Sequence, residues 1–105
     1  MDIAEDGAFC REANKIRVRC PDMEDLKKAA YFKKVEEEPF AGFLNIKLRD
    51  VSEGYALCEM EYTEQMDNIY GMAHGGAIFS LIDEAFEISS NSHENIAVAL
   101  NINVT

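Results

Sequence analysis

An α+β domain is what the sequence predicts, on three observations. A charged stretch of helical periodicity occupies residues 23–35. Two runs of alternating polarity meet across a short turn containing Gly54. A strongly apolar helical run then follows the paired glycines Gly75 and Gly76. Hydrophobic period is the primary signal for element type, and the resulting order is helix, strand, strand, helix, strand, without an internal repeat.

The 105 residues suit one domain with a single modest core. Apolar residues make up 48% of them, which argues for a folded globule rather than disorder. No apolar run approaches the roughly 20 residues that span a bilayer, so no membrane association is expected. The opening "MDIAED" is acidic and lacks the basic-then-apolar layout of a secretory signal. Cys10, Cys20 and Cys58 are odd in number and widely spaced, which suits reduced thiols in a cytoplasmic protein.

The net charge of −10 is unevenly spread: every Lys and Arg lies between Arg11 and Arg49, and none follows Asp50. Phosphate contacts need clustered cations, so nucleic-acid binding by the second half is excluded.

Residues 1–38 read as an N-terminal extension and 39–105 as the main domain. In the extension, "KIRVRC" alternates as a short exposed strand would, though its basic spacing also suits a solvated turn or helix. Asp22 is a good N-cap for a helix over 23–35. That helix places Met23, Leu26 and Ala30 on one face, with Glu24 and Lys28 as an i,i+4 pair. Glu36, Glu37 and Glu38 read as a solvated run before Pro39.

"FLNIKLRDV", from Phe43, alternates with Leu44, Ile46 and Leu48 on the buried face. "SEG" is turn chemistry. "YALCEMEYT" alternates again, with Ala56, Cys58, Met60 and Tyr62 together, so the two runs form a β-hairpin. Residues 64–73 are a loop, 75–90 a helix, 91–95 a polar turn, and "IAVALNINVT" a final β-branched strand. On the second helix, Ala77, Ile78, Leu81, Ile82, Ala85, Phe86 and Ile88 cover more than half the circumference, as a helix wrapped by a sheet requires. Glu84 and Glu87 mark its exposed side.

The glycine-opened start of this helix is the first candidate for chemistry. Helix N-termini carry backbone N–H groups without intrahelical partners and the positive end of the dipole. With no side chains at Gly75 and Gly76, an oxygen gaining negative charge can approach those donors closely. Asp83 is the second candidate, a carboxylate inside an apolar run, which is costly without partners. It lies eight positions after Gly75, or about 12 Å along the helix axis. Reacting groups must converge within about 3 Å, so one chain's Gly75 and Asp83 cannot share a substrate. If both are functional, a homodimer with antiparallel central helices brings each chain's Gly75 to the other's Asp83. His74 has no nearby Ser or Cys to activate, and hydrogen-bonding that shapes the loop suits it better. His74 and His93 lack metal-ligand spacing, so no metal is expected.

Asn68, five residues, and then "HGGAIFSLIDEAF" together make the pattern N-x5-H-G-G-x2-F-x-L-x-D. This resembles the hot-dog-fold acyl-CoA thioesterases of the phenylacetate-pathway and thioesterase-superfamily-member-2 type, over about residues 40–105. The resemblance implies an antiparallel sheet wrapped around a central helix, incomplete in this chain because the sequence stops inside its third strand. It implies hydrolysis of an acyl-CoA thioester at a homodimer interface, in a dimer or a dimer of dimers. Coenzyme A would be part of the substrate, and no other cofactor is needed. Gly75 N–H would polarise the carbonyl. Asn68 would help place the substrate or water, and Asp83 of the partner chain would act as general base or nucleophile. His74, Gly76 and Phe79 would line the substrate. Some relatives hold the water with a Ser or Thr in the next strand, where this chain has Ala97, with Asn101 and Asn103 nearby. The missing strands are where basic residues for the CoA phosphates are expected. A non-catalytic hot-dog domain that binds acyl groups or proteins is the alternative, and an acidic interaction module without a ligand is a third.

Overall fold

The computed structural model describes residues 2–6, 12–13, 16–17, 23–93 and 95–105, with side chains from Met23 onward. Its strands and helices are, in chain order, β1 (Asp2–Asp6), β2 (Glu12–Ala13), β3 (Ile16–Arg17), α1 (Asp25–Glu37), α2 (Pro39–Leu44), β4 (Ile46–Ser52), β5 (Tyr55–Met60) and α3 (Gly75–Asn91). The expected cap Asp22 and the thiols of Cys10 and Cys20 lie outside the described residues.

The hairpin of β4 and β5 carries the core. Ser52 pairs with Tyr55 across a turn in which Gly54 takes φ +73°, a backbone region glycine enters without strain. On β5 the alternation is clean, with Ala56, Cys58 and Met60 at most 1% exposed. On β4, Ile46 and Leu48 are buried as their spacing requires. The register then shifts between Leu48 and Asp50, and this bulge turns Val51 into the core out of sequence. β1 adds to the far edge of β5, giving the antiparallel order β1–β5–β4, while β2 and β3 form a separate two-residue ladder. "KIRVRC" therefore contributes β3 through Ile16 and Arg17.

Helix α3 crosses the sheet and buries Leu81, Ala85 and Ile88 against it. Fully buried side chains of this size, Leu81 and Met60 among them, each contribute about 1.5–3 kcal/mol. α1 packs on β4 and α2. The Tyr31 hydroxyl donates to Asn91 O at 2.7 Å, tying α1 to the end of α3.

Five expectations are corrected. The strand predicted from Phe43 starts at Ile46, because Pro39 at the first helical turn nucleates α2, which ends at Asn45 in the left-handed conformation (φ 55°). The buried face of α1 is Tyr31, Phe32 and Val35, not Leu26 and Ala30; the aromatic and β-branched residues outweigh the earlier ones, and Leu26 is 84% exposed. Lys28 reaches Asp50 at 3.5 Å across the α1–β4 contact. Glu38 is half-buried rather than solvated, since the α1–α2 corner folds it against α3. Glu84 is buried, only 3% exposed, because its position on α3 faces that corner.

The fifth correction is the last segment. Residues 96–105 form no strand: β5 already has a neighbour on each edge, and the segment is held elsewhere. The Asn91 side chain accepts from Ala97 N–H at 2.8 Å and donates to Ala97 O at 3.0 Å, which pins the segment beside the end of α3. Ile96 and Leu100 remain almost wholly exposed.

Candidate active site

The loop before α3 is closed on itself. His74 N–H donates to Met66 O at 2.7 Å, Asp67 and Ala73 form a bridge, and Gly71 takes φ +72° in the turn between them. Asn68 organises this turn. Its N–H donates to Met72 O, and its side-chain oxygen accepts from Tyr70 N–H at 2.9 Å and Met72 N–H at 3.1 Å. Two donors fix the amide orientation, so Asn68 can offer only its Nδ2 hydrogens to anything outside the loop.

His74 is the N-cap of α3: its Nδ1 accepts from Gly76 N–H at 2.8 Å. An accepting Nδ1 leaves the proton on Nε2 in the neutral ring. The next two amides, Ala77 and Ile78, donate to His74 O. The helix start is therefore largely satisfied, which corrects the expectation of several free donors. Gly76 N–H is taken by His74, and Gly75 is the first-turn residue whose N–H has no acceptor among the described residues. A Cβ built on Gly75 would meet nothing within 4 Å, whereas one on Gly76 would come within 3.0 Å of the His74 ring. The opening is thus confined to Gly75. Phe79 stands one turn further on, 40% exposed.

Asp83 lies on the same helix as Gly75, eight positions on and about 12 Å away along the axis. The structure keeps the two apart within one chain. Asp83 instead borders a cavity of about 780 Å³ with Tyr31, Lys34, Phe86, Glu87 and Ile96.

One group of residues was missed in the sequence. One carboxylate oxygen from each of Glu38, Glu84 and Glu87 lies within 4.8 Å of the others. Burial, then a hydrogen bond and charge from Glu38, push the Glu84 carboxyl up to about 9. Burial and the Glu38 charge raise Glu87 as well. The Cys58 thiol, buried and facing these carboxylates, is pushed up to about 12, so it behaves as an inert core group. The signal available in the sequence was the i,i+3 spacing of Glu84 and Glu87.

These elements make up part of a hot-dog fold, with its central helix opened by glycine. The chain is 36% identical to the solved PaaI protein of the Escherichia coli phenylacetic acid degradation operon, with a TM-score of 0.56 over 64% of this chain and 47% of that one. In sequence it is 41% identical over 64 residues to the acyl-coenzyme A thioesterase PaaI of E. coli, covering 61% of this chain and 46% of the relative. An Archaeoglobus fulgidus protein named "Putative esterase" is 33% identical over 97 residues, 92% of this chain and 58% of the relative. An alignment of that length cannot fit within residues 40–105, so the similarity extends into the N-terminal part. No protein-family model matches. The chain spans about half the length of these relatives.

Proposed function

We propose that this protein hydrolyses an acyl-CoA thioester at a homodimer interface, within a dimer or a dimer of dimers, in the cytoplasm. The observation that carries the reading is the Gly75 N–H, which has no acceptor among the described residues and stands where an added Cβ would meet nothing within 4 Å, at the positive end of α3. The similarity to PaaI supplies the substrate class.

In this reading the thioester carbonyl oxygen accepts from Gly75 N–H. Asp83 of the partner chain takes a proton from water as the water oxygen bonds to the carbonyl carbon. The resulting oxyanion is held by the Gly75 amide, a type of donor worth about 3 kcal/mol in the transition state. Collapse breaks the carbon–sulfur bond and expels the CoA thiolate, which takes up the proton, leaving the free acid. Asn68 Nδ2 steers the water or the substrate, while Phe79 and the Gly76 backbone line the acyl approach. His74 acts from behind, holding the helix start in shape. The chemistry is proton transfer and acyl transfer to water, so it calls for no cofactor besides the substrate's own coenzyme A. No helix among the described residues is long and apolar enough to cross a membrane.

The test is thiol release from a panel of acyl-CoAs by the wild type and by Asp83→Asn, which keeps shape and removes the base. Removing a general base is expected to lower turnover by about 10²-fold or more. Absence of turnover by the wild type on every acyl-CoA, or an unimpaired Asp83→Asn, overturns the proposal. Acyl-CoA binding without turnover would point instead to a non-catalytic acyl-binding domain.

A further inference from the structure

We infer that Glu38, Glu84 and Glu87 form a binding site for a hard divalent cation, calcium in the first instance, at the corner between α2 and α3. The site is independent of the proposed thioester chemistry. Glu38 is the residue that starts α2, and Glu84 and Glu87 share one face of α3. Their carboxylate oxygens converge within 4.8 Å, and none of the ion pairs among the described residues ends on any of the three.

Convergence of acids alone would not suffice. The second observation is Glu84 itself: the residue is 3% exposed, and its Oε1 is cut off from solvent with no hydrogen-bond partner. A buried carboxylate oxygen left unpaired carries a desolvation penalty of about 1–3 kcal/mol or more. A cation between the three carboxylates would neutralise the enclosed Glu84 carboxylate and offset the like-charge repulsion.

The donor set selects the ion. All three ligands are carboxylates, which suit calcium, magnesium or manganese rather than the softer metals. The buried Cys58 thiol, on which these carboxylates act, is held protonated and would bind weakly. Calcium takes about six to eight oxygens at about 2.3–2.6 Å in flexible geometry, and three carboxylate oxygens all within 4.8 Å of one another can share one such ion. Magnesium is usually held by one or two carboxylates with several waters, so a set of three carboxylates favours calcium. The burial is graded, with Glu84 enclosed, Glu38 half-buried and Glu87 exposed. That leaves a solvent-facing side for entry and for water ligands, which a three-carboxylate calcium site requires.

Isothermal titration calorimetry of EDTA-stripped protein with calcium chloride, and separately with magnesium and manganese chloride, tests this. The wild type is expected to bind one calcium per chain saturably, with Glu84→Gln and Glu87→Gln each weakening binding by about tenfold or more. Glu61→Gln, an exposed carboxylate elsewhere, should leave it unchanged. If Glu84→Gln fails to fold, the exposed Glu87→Gln carries the test. No saturable calcium binding up to about 10 mM, weaker than the weakest class of protein calcium sites, overturns the inference. So does binding that Glu87→Gln leaves intact.

Discussion

His74 Nδ1 accepts the Gly76 N–H at 2.8 Å, so the histidine side chain caps the very helix whose first residue, Gly75, presents the open amide. This makes His74 a determinant of where the Gly75 donor points. Replacing His74 by Ala removes the cap and is expected to destabilise the fold by about 1 kcal/mol. His74→Asn, whose side-chain oxygen can accept the same N–H, should recover most of that loss. Urea denaturation of the three proteins reads it; equal stability of the Ala variant and the wild type would show that the cap contributes nothing.

The Tyr31 hydroxyl reaches Asn91 O at 2.7 Å, joining residues sixty positions apart and fastening α1 to the end of α3. Tyr31→Phe keeps the ring, which packs against the core, and deletes only the donor. Loss of about 1 kcal/mol is expected, since the carbonyl is left without this partner. Hydrogen exchange should also report faster opening in α1 than in β5. Unchanged exchange in α1 would mean that the helix is held by its apolar contacts alone.

How much of this was legible in the sequence differs from element to element. Ala56, Cys58 and Met60 announced β5 by strict alternation, which answers to a single buried face. The apolar positions from Ala77 to Ile88 announced α3, but of those expected to cover more than half of it only Leu81, Ala85 and Ile88 are buried, and Phe86 is exposed. β4 was legible only up to Leu48; a bulge changes which residues face inward, and nothing in "KLRDVS" marks it. Pro39 was visible, but the alternation starting at Phe43 masked the short helix that it begins. β1 was not expected, because "MDIAED" has too few apolar residues to show a period. In the site, the pairing of Gly75 with an open approach was readable from glycine chemistry. The capture of Gly76 N–H by His74 was not, since it depends on the ring's orientation. Burial of Glu84 escaped notice because it depends on where α2 folds back, a long-range event that local period does not encode.

The raised carboxyl of Glu84 has a consequence for stability against pH. Its folded value of about 9 exceeds the ordinary 4.5, so the folded protein retains a proton that the unfolded chain has lost. Stability from this group is therefore fully present below about pH 4.5 and declines as pH rises toward 9. The like charges of Glu38, Glu87 and Asp83 act on it in the same direction. In EDTA, the unfolding free energy of the wild type should fall between pH 5 and pH 9 more steeply than that of Glu84→Gln, which cannot ionise there. Parallel profiles for the two proteins would mean that Glu84 stays charged throughout.

The separation of Gly75 and Asp83 along α3 makes a prediction that no single variant can. Gly75 is the first residue of the helix, the position where proline is tolerated. Gly75→Pro therefore removes the N–H while leaving the fold in place. Alone, Gly75→Pro and Asp83→Asn should each be inactive on acyl-CoA. In a heterodimer of the two, one of the two composite sites combines an intact Gly75 with an intact Asp83 from the other chain. Refolding equal amounts together gives heterodimers in half the population with one working site of two, or about a quarter of wild-type activity. Thiol release from the mixed preparation, compared with either variant refolded alone, measures this. If the mixture stays as inactive as its components, the two residues do not meet across the two-fold axis.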